Sequence, residues 1–279
     1  MSLESISDPK GSITKSAKTR AKPLIIALAN QKGGVGKTTT AINLGTALAA
    51  VSRQVLLVDL DPQGNASTGL GSDARSRDGS TYDVLTGSTA MADIITETQV
   101  PGLHLAPGAV DLSGADMELV SESNRAHRLQ MAFADLDDRY DYILIDCPPS
   151  LSLLTVNAMT AAHSVLVPLQ CEFFALEGLS QLLQTVERVK QSLNPNLSIQ
   201  GVVLTMFDKR NNLSQQVEDD VREALGDLVY DTVVPRNVRL SEAPSHAMPA
   251  LIYDQACAGS RAYQSLAAEL LRRESDSTD

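Results

Sequence analysis

The sequence predicts an α/β fold: a single doubly wound, mainly parallel sheet with helices on both faces. Three observations carry that expectation. Short apolar runs recur along the chain, and they are nearly continuous rather than alternating, which is how strands read when both faces are covered. Longer amphipathic stretches separate most of them, and strand–helix alternation of this kind builds a parallel sheet. Finally, polar motifs follow directly on several apolar runs, at the strand ends where such sheets bind ligands. The 279 residues, 43% hydrophobic and 20% charged, suffice for one large domain.

In chain order, residues 1–22 are rich in Ser, Thr and Lys. Lys10, Lys15, Lys18, Arg20 and Lys22 stand against Glu4 and Asp8, so this stretch is expected to be a flexible basic tail, too short for a domain. It has no apolar core with a small-residue cleavage site, so no secretory signal is expected. The ordered domain is expected over 23–272. Its strands are predicted at Leu24–Ala29, Val55–Val58, Leu103–Ala106, Tyr142–Ile145, Val165–Leu169, Val202–Thr205 and Val229–Val234. Its helices are predicted at Thr38–Ala50, Ser113–Leu136, Leu151–Ala162, Leu176–Leu193, Leu213–Leu225 and Ser260–Arg272. Residues 273–279 read as a frayed acidic terminus. No apolar run approaches the about 18 residues of a membrane span. Cys147, Cys171 and Cys257 lie far apart with no paired spacing, which excludes a disulfide scaffold and fits a reducing cytoplasm. The net charge of −11 argues against a polyanionic partner unless a local basic patch reverses it.

The first strand runs into Asn30-Gln31-Lys32-Gly33-Gly34-Val35-Gly36-Lys37-Thr38-Thr39, and a helix follows. Glycines allow a tight loop whose N–H groups converge on one point at a helix N-terminus, a nest for phosphate oxygens. Lys37 is placed to neutralise β- and γ-phosphates, and the Thr38 hydroxyl is a hard ligand suited to Mg²⁺. Two further strands end in acids. Val55–Val58 leads into Asp59-Leu60-Asp61-Pro62-Gln63-Gly64, and Tyr142–Ile145 into Asp146-Cys147-Pro148-Pro149. A carboxylate there holds the waters of Mg²⁺ while a triphosphate supplies other oxygens. Asp146 reads as that aspartate, with Asp59 near the ion. Asp61, on the turn beyond, is placed to orient water for in-line attack on the γ-phosphate.

The loop has Gln31 where the ordinary G-x-x-x-x-G-K-[ST] pattern has glycine, and it carries an extra lysine, Lys32. In this it resembles the deviant Walker A loop of the ParA/MinD group of P-loop NTPases. Four longer blocks, LLVDLDPQGNAS, DYILIDCPPSLSLLTVNA, QCEFFALEGLSQL and VPRNVRLSEAPSHAMPALIYD, are similar to the ParA/Soj family of chromosome and plasmid partitioning ATPases. The short N-terminal tail resembles the family's short chromosomal type.

The resemblance implies an ATPase that is slow alone and stimulated by a ParB-type centromere-binding protein. ATP, with Mg²⁺, would make a sandwich homodimer that binds double-stranded DNA without sequence preference, and ADP would release it. The protein would then be cytoplasmic, and nucleoid-associated when ATP-bound. It further implies that Lys32 reaches the neighbouring subunit's nucleotide, that Lys32, Lys37 and Asp61 serve catalysis, and that Gly33–Thr39 bind phosphate. It places adenine against Met206, Asp208, Pro235 and Arg236, and DNA against Arg210 and Arg239. A dimer doubles a one-sided patch, so the global charge does not forbid DNA.

A MinD-like membrane ATPase is the alternative, but it needs a basic amphipathic C-terminal helix. Acids follow Arg272-Arg273 here, and large apolar residues end at Leu271. An iron–sulfur protein with the same loop would need paired cysteines that this spacing lacks. A DNA-bridging protein without turnover is disfavoured by the Asp61 and Asp146 corners.

Overall fold

The computed structural model describes residues 22–73, 77–136 and 139–276; the expected basic tail, apart from Lys22, and the last three residues lie outside them. The strands are β1 (Leu24–Leu28), β2 (Val55–Asp59), β3 (Thr96–Glu97), β4 (Leu103–Ala106), β5 (Tyr142–Asp146), β6 (Ser164–Gln170) and β7 (Ser198–Thr205). They form one sheet in the order β3-β4-β2-β5-β1-β6-β7. Every pairing is parallel except that of the two-residue edge strand β3 with β4.

The helices are α1 (Lys37–Ala50), α2 (Asn65–Gly69), α3 (Thr81–Thr86), α4 (Met91–Ile94), α5 (Ala115–Glu118), α6 (Arg128–Ala134), α7 (Leu153–Ala161), α8 (Ala175–Ser192), α9 (Asn212–Leu225), α10 (Val238–Glu242), α11 (Ala250–Tyr253) and α12 (Ala258–Asp276). Alternate strand residues feed two cores. Ala27, Val58, Ile143, Ile145 and Val165 meet α7 and α8 on one face. Ile26, Leu28, Leu57, Leu144 and Leu166 meet α1 and α12 on the other. Both faces are therefore covered, which is why the strand runs carry no polar alternation. Among the described residues no helix is long and apolar enough to cross a membrane.

Two predicted elements differ. The helix expected over Ser113–Leu136 is broken into α5, α6 and short 3-10 turns at Val110–Gly114, Leu119–Ser121 and Arg125–His127. The polar run Ser121-Glu122-Ser123-Asn124 interrupts it, and Asn157 on α7 accepts the Leu129 N–H at 3.2 Å, starting α6 anew. The strand expected over Val229–Val234 does not form; the segment meets β7 through one bridge, Val202 with Val229, and through the Tyr230 and Val234 N–H groups, which donate to the Val202 and Leu204 carbonyls at 2.9 and 2.8 Å. Between them the N–H groups of Asp231 and Thr232 turn away to the Glu269 carboxylate, at 2.8 and 2.9 Å. A buried side chain on α12 thus takes the donors that a ladder would have used. The final helix also runs on to Asp276, past the expected end at Arg272.

Glu269 is 2% exposed and also pairs with Arg273. Burial pushes its carboxyl up, but the Thr232 and Asp231 donors and Arg273 outweigh burial, so its pKa lies below the ordinary value. Glu269→Ala leaves two N–H groups without their acceptor and is expected to cost about 2–4 kcal/mol, read as a lower urea midpoint. Because the folded pKa is depressed, this contribution is full above the ordinary carboxylate range and fades as pH falls through the folded value. A wild-type midpoint for the variant would show that the 231–232 segment holds without it.

Candidate active site

Strand β1 delivers the chain to the phosphate loop, and Asn30 fixes the entry. Its side-chain amide donates to the Pro168 carbonyl on β6 at 2.8 Å, and its Oδ1 accepts the Lys32 N–H at 3.0 Å. Gly34 and Gly36 take φ of 76° and 87°, the left-handed region that glycine enters without steric cost. The loop's far side is tied to β7 by the Thr205 hydroxyl, which donates to the Val35 carbonyl at 2.8 Å. Lys37 is 6% exposed and folds back inside the loop, its Nζ donating to the Lys32 carbonyl at 3.0 Å. Burial lowers its pKa, opposed by the charges of Asp146, Cys147 and Asp61.

The acids arrive by register. Asp146 is the Cα partner of Leu28 on one side and of Asp59 on the other. Both carboxylates are fully buried. Asp59 is taken up by the next turn: Oδ2 accepts the Ser67 N–H (2.9 Å) and hydroxyl (2.6 Å), and Oδ1 accepts the Asp61 N–H (3.1 Å). Neither oxygen of Asp146 has a hydrogen-bond partner. Burial raises its pKa well above the ordinary value, and the charges of Asp59 and Asp61 add to that, with the Thr38 hydroxyl and Lys37 acting the other way. A buried carboxylate with unused lone pairs beside Thr38 fits a hydrated divalent cation, which would relieve both burial and repulsion. Among the described residues no cluster of three or more His, Cys, Asp or Glu forms a closed metal cage.

A cavity of about 660 Å³ opens above this floor. Gly33, Gly34 and Gly36–Thr39 form one wall, Asp61 and Gln63 an edge, and Met206, Pro235, Arg236 and Asn237 the opposite wall. Asp61 Oδ1 accepts the Gln63 N–H at 3.0 Å, which holds the turn.

The described domain contains a match to the model of an AAA domain family over residues 24–199. A chromosome partitioning protein ParA from Caulobacter vibrioides is 60% identical over 259 residues, covering 92% of this chain and 97% of that one. The chain belongs to the ParA/Soj family. The sporulation initiation inhibitor protein Soj of Bacillus subtilis is 53% identical, with 88% of this chain and 97% of the relative covered. A Mycobacterium smegmatis structure described as cobyrinic acid a,c-diamide synthase, with bound ADP and magnesium, is 39% identical. It superposes with a TM-score of 0.79 over 91% of this chain and 96% of that one. Like other ParA/Soj proteins, this chain is a partitioning ATPase of P-loop fold.

Within the ParA/Soj fold, the predicted residues fall into three groups. The phosphate loop, Asp61, Met206, Pro235 and Arg236 line the cavity, and Asp146 is buried beside Thr38 and Lys37 rather than lining it. Val35 is buried behind the loop rather than lining it, and Asp59 organises the turn that carries Asp61. Four further charged residues stand outside the cavity lining. Lys32 lies on the rim, 46% exposed, its ammonium paired with Glu172 after β6. Asp208 pairs with Arg210, and Arg239 pairs with Glu242 at 2.8 Å. Sequence reading missed Asn237, Leu240 and Ser241 of the cavity wall. Asn237 had a local signal, since it caps α10 by accepting the Arg239 N–H at 2.9 Å.

Lys37→Ala is expected to weaken ATP binding by roughly tenfold to a hundredfold, the worth of one charge-assisted contact at about 1.5–3 kcal/mol. Titration with a fluorescent ATP analogue measures it. Unchanged affinity would place the phosphates elsewhere.

Proposed function

We propose that the chain is an ATP-driven switch for segregating DNA. In this reading, ATP binding joins two copies, the pair binds double-stranded DNA without sequence preference, and a ParB-type partner stimulates the hydrolysis that releases it. The observation that carries it is one cavity lined by the phosphate loop and the Asp61 turn, with the buried Asp146 carboxylate behind it beside Thr38 and Lys37. Thr38 and, through water, Asp146 would hold a magnesium ion, which would supply charge neutralisation at the phosphates. The loop N–H groups and Lys37 hold the β- and γ-phosphate oxygens. Asp61, at the cavity edge, accepts a hydrogen bond from the attacking water and aligns it for in-line displacement.

Lys32 supports the two-copy part of the cycle. Its side chain points to the rim, not into its own cavity, and its ion pair with Glu172 is half exposed and so easily exchanged. Arg210 and Arg239 support the DNA part. They stand on the 206–210 and 234–239 segments, both of which wall the cavity, and their side chains are 89% and 50% exposed.

Asp61→Ala is expected to bind ATP, pair and stay on DNA while phosphate release falls to background, because only the water loses its positioning group. Ordinary turnover would move that role to another residue. Lys32→Ala should keep ATP affinity but remain a single copy by light scattering with ATP. Pairing at wild-type concentration would refute the cross-subunit lysine.

A further inference from the structure

Arg210 is not a free side chain. Its backbone N–H and its Nε both donate to Asp208 Oδ1 at 3.0 Å, and its Nη2 donates to Oδ2 at 2.9 Å. This uses the Nε–Nη2 edge of the planar guanidinium and leaves the Nη1 edge for another anion. The bonds from Arg210 hold the Asp208 carboxyl down to about 2, so it stays ionised at working pH.

The turn that carries the pair is itself anchored. Met206 takes a left-handed φ of 50° and lines the cavity. Phe207 donates its N–H to the Val234 carbonyl at 3.1 Å and accepts the Arg236 N–H at 2.9 Å. The Asn211 N–H closes the turn on the Asp208 carbonyl at 3.0 Å, and the Gln215 amide reaches the Lys209 carbonyl at 2.8 Å. Asp208 therefore sits on fixed backbone and Arg210 on the solvent side of it. Arg239 is paired differently, shared between two carboxylates: its Nη1 donates to Glu242 at 2.8 Å and its Nε lies 3.4 Å from Asp254.

A carboxylate beside a phosphate-binding arginine has two opposite effects. Its charge repels the polyanion and weakens binding. Its hydrogen bonds fix a long side chain in advance, so less freedom is lost when a phosphate is clamped. Here three bonds converge on one carboxylate while the outer guanidinium edge stays in solvent, which favours the second effect. We propose that Asp208 is a positioning residue that presents Arg210 to a DNA phosphate, and not a contact to the nucleotide. The proposal rests on the reading that the ATP form binds DNA.

The test is a salt titration of binding to a duplex of arbitrary sequence, with ATP, for the full chain and for Asp208→Ala, Asp208→Asn, Arg210→Ala and the double variant Asp208→Ala/Arg210→Ala. Presentation predicts that Asp208→Ala weakens binding about threefold to tenfold, the worth of one pre-ordered side chain. Asp208→Asn, which keeps one acceptor oxygen, should lose less. The double variant should bind like Arg210→Ala alone, because Asp208 has nothing left to position. Arg210→Ala should make the salt slope shallower, and Asp208→Ala should not. ATP affinity and the thermal midpoint are followed in parallel. Asp208→Ala binding DNA as well as wild type, or more tightly, overturns the proposal and leaves Asp208 a repelling charge. Equal loss with and without Arg210, or a loss of ATP affinity, overturns it too. A wild-type chain that ignores DNA in ATP instead brings down the DNA reading itself, which the Asp208 results alone do not.

Discussion

Asp59 and Asp146 are Cα partners on adjacent parallel strands, both fully buried, with Lys37 of the phosphate loop beside them. Like charges so placed repel, and each loses its hydration. The two carboxylates meet this in different ways. Asp59 is neutralised in effect by donors: the Ser67 N–H and hydroxyl and the Asp61 N–H all converge on it. Asp146 is given no comparable set of donors and faces only the Thr38 hydroxyl and Lys37. The turn after β2 and the opening of α2 are therefore shaped by the need to satisfy Asp59. The same turn delivers Asp61 to the cavity edge. Gly108 belongs to that arrangement, because a Cβ there would come within 3.0 Å of the Asp59 carboxyl carbon.

That arrangement depends on register, and register depends on the two cores. Sliding β5 by one residue against β1 or β2 would exchange its apolar faces, sending Leu144 toward the α7 and α8 side and Ile143 and Ile145 toward α1 and α12. Burial of those side chains is worth about 1.5–3 kcal/mol each. The hydrophobic pattern of three strands thus fixes the relative height of Asp59, Asp146 and the loop that starts after Leu28. A site that buries charge needs such a scaffold, since nothing in its own electrostatics would hold it together.

Much of this was legible in the amino-acid order. The apolar runs at 24–29, 55–58 and 142–145 end in the loop or in an aspartate, so strand ends and site coincide without any long-range information. The division of labour between Asp59 and Asp146 was not legible. It turns on Ser67, eight residues beyond Asp59, folding back through α2. Likewise the apolar run at 229–234 has the composition of a strand, and what prevents it is Glu269 on a helix some forty residues later. The family resemblance places Asp208 with Met206 in the base pocket, and the structure shows its carboxylate bonded to Arg210, two residues on. In each case the pattern identified the segment correctly as structured, while a side chain distant or oppositely directed decided its role.

The two loops that carry the exposed arginines deserve the same physical reading. Phe207 and Pro235 form a bridge, and the Val234–Phe207–Arg236 backbone bonds fasten the loops to each other. Residues on either side of this fastening, Met206 and Arg236–Asn237, wall the nucleotide cavity. Arg210 and Arg239 lie within four residues of it along the chain. Neither loop can shift alone without breaking the bridge, so a nucleotide held between them orders both arginines together. In a chain of net charge −11, the DNA-facing charge that the proposed function calls for must be local and correctly aimed. A pair of arginines fixed to the frame of the cavity, one held by Asp208 and the other by Glu242 and Asp254, would meet that requirement where scattered lysines would not. Doubling the frame in the proposed ATP-bound pair would set four such groups together, which is how the proposed cycle can bind a polyanion from an acidic protein.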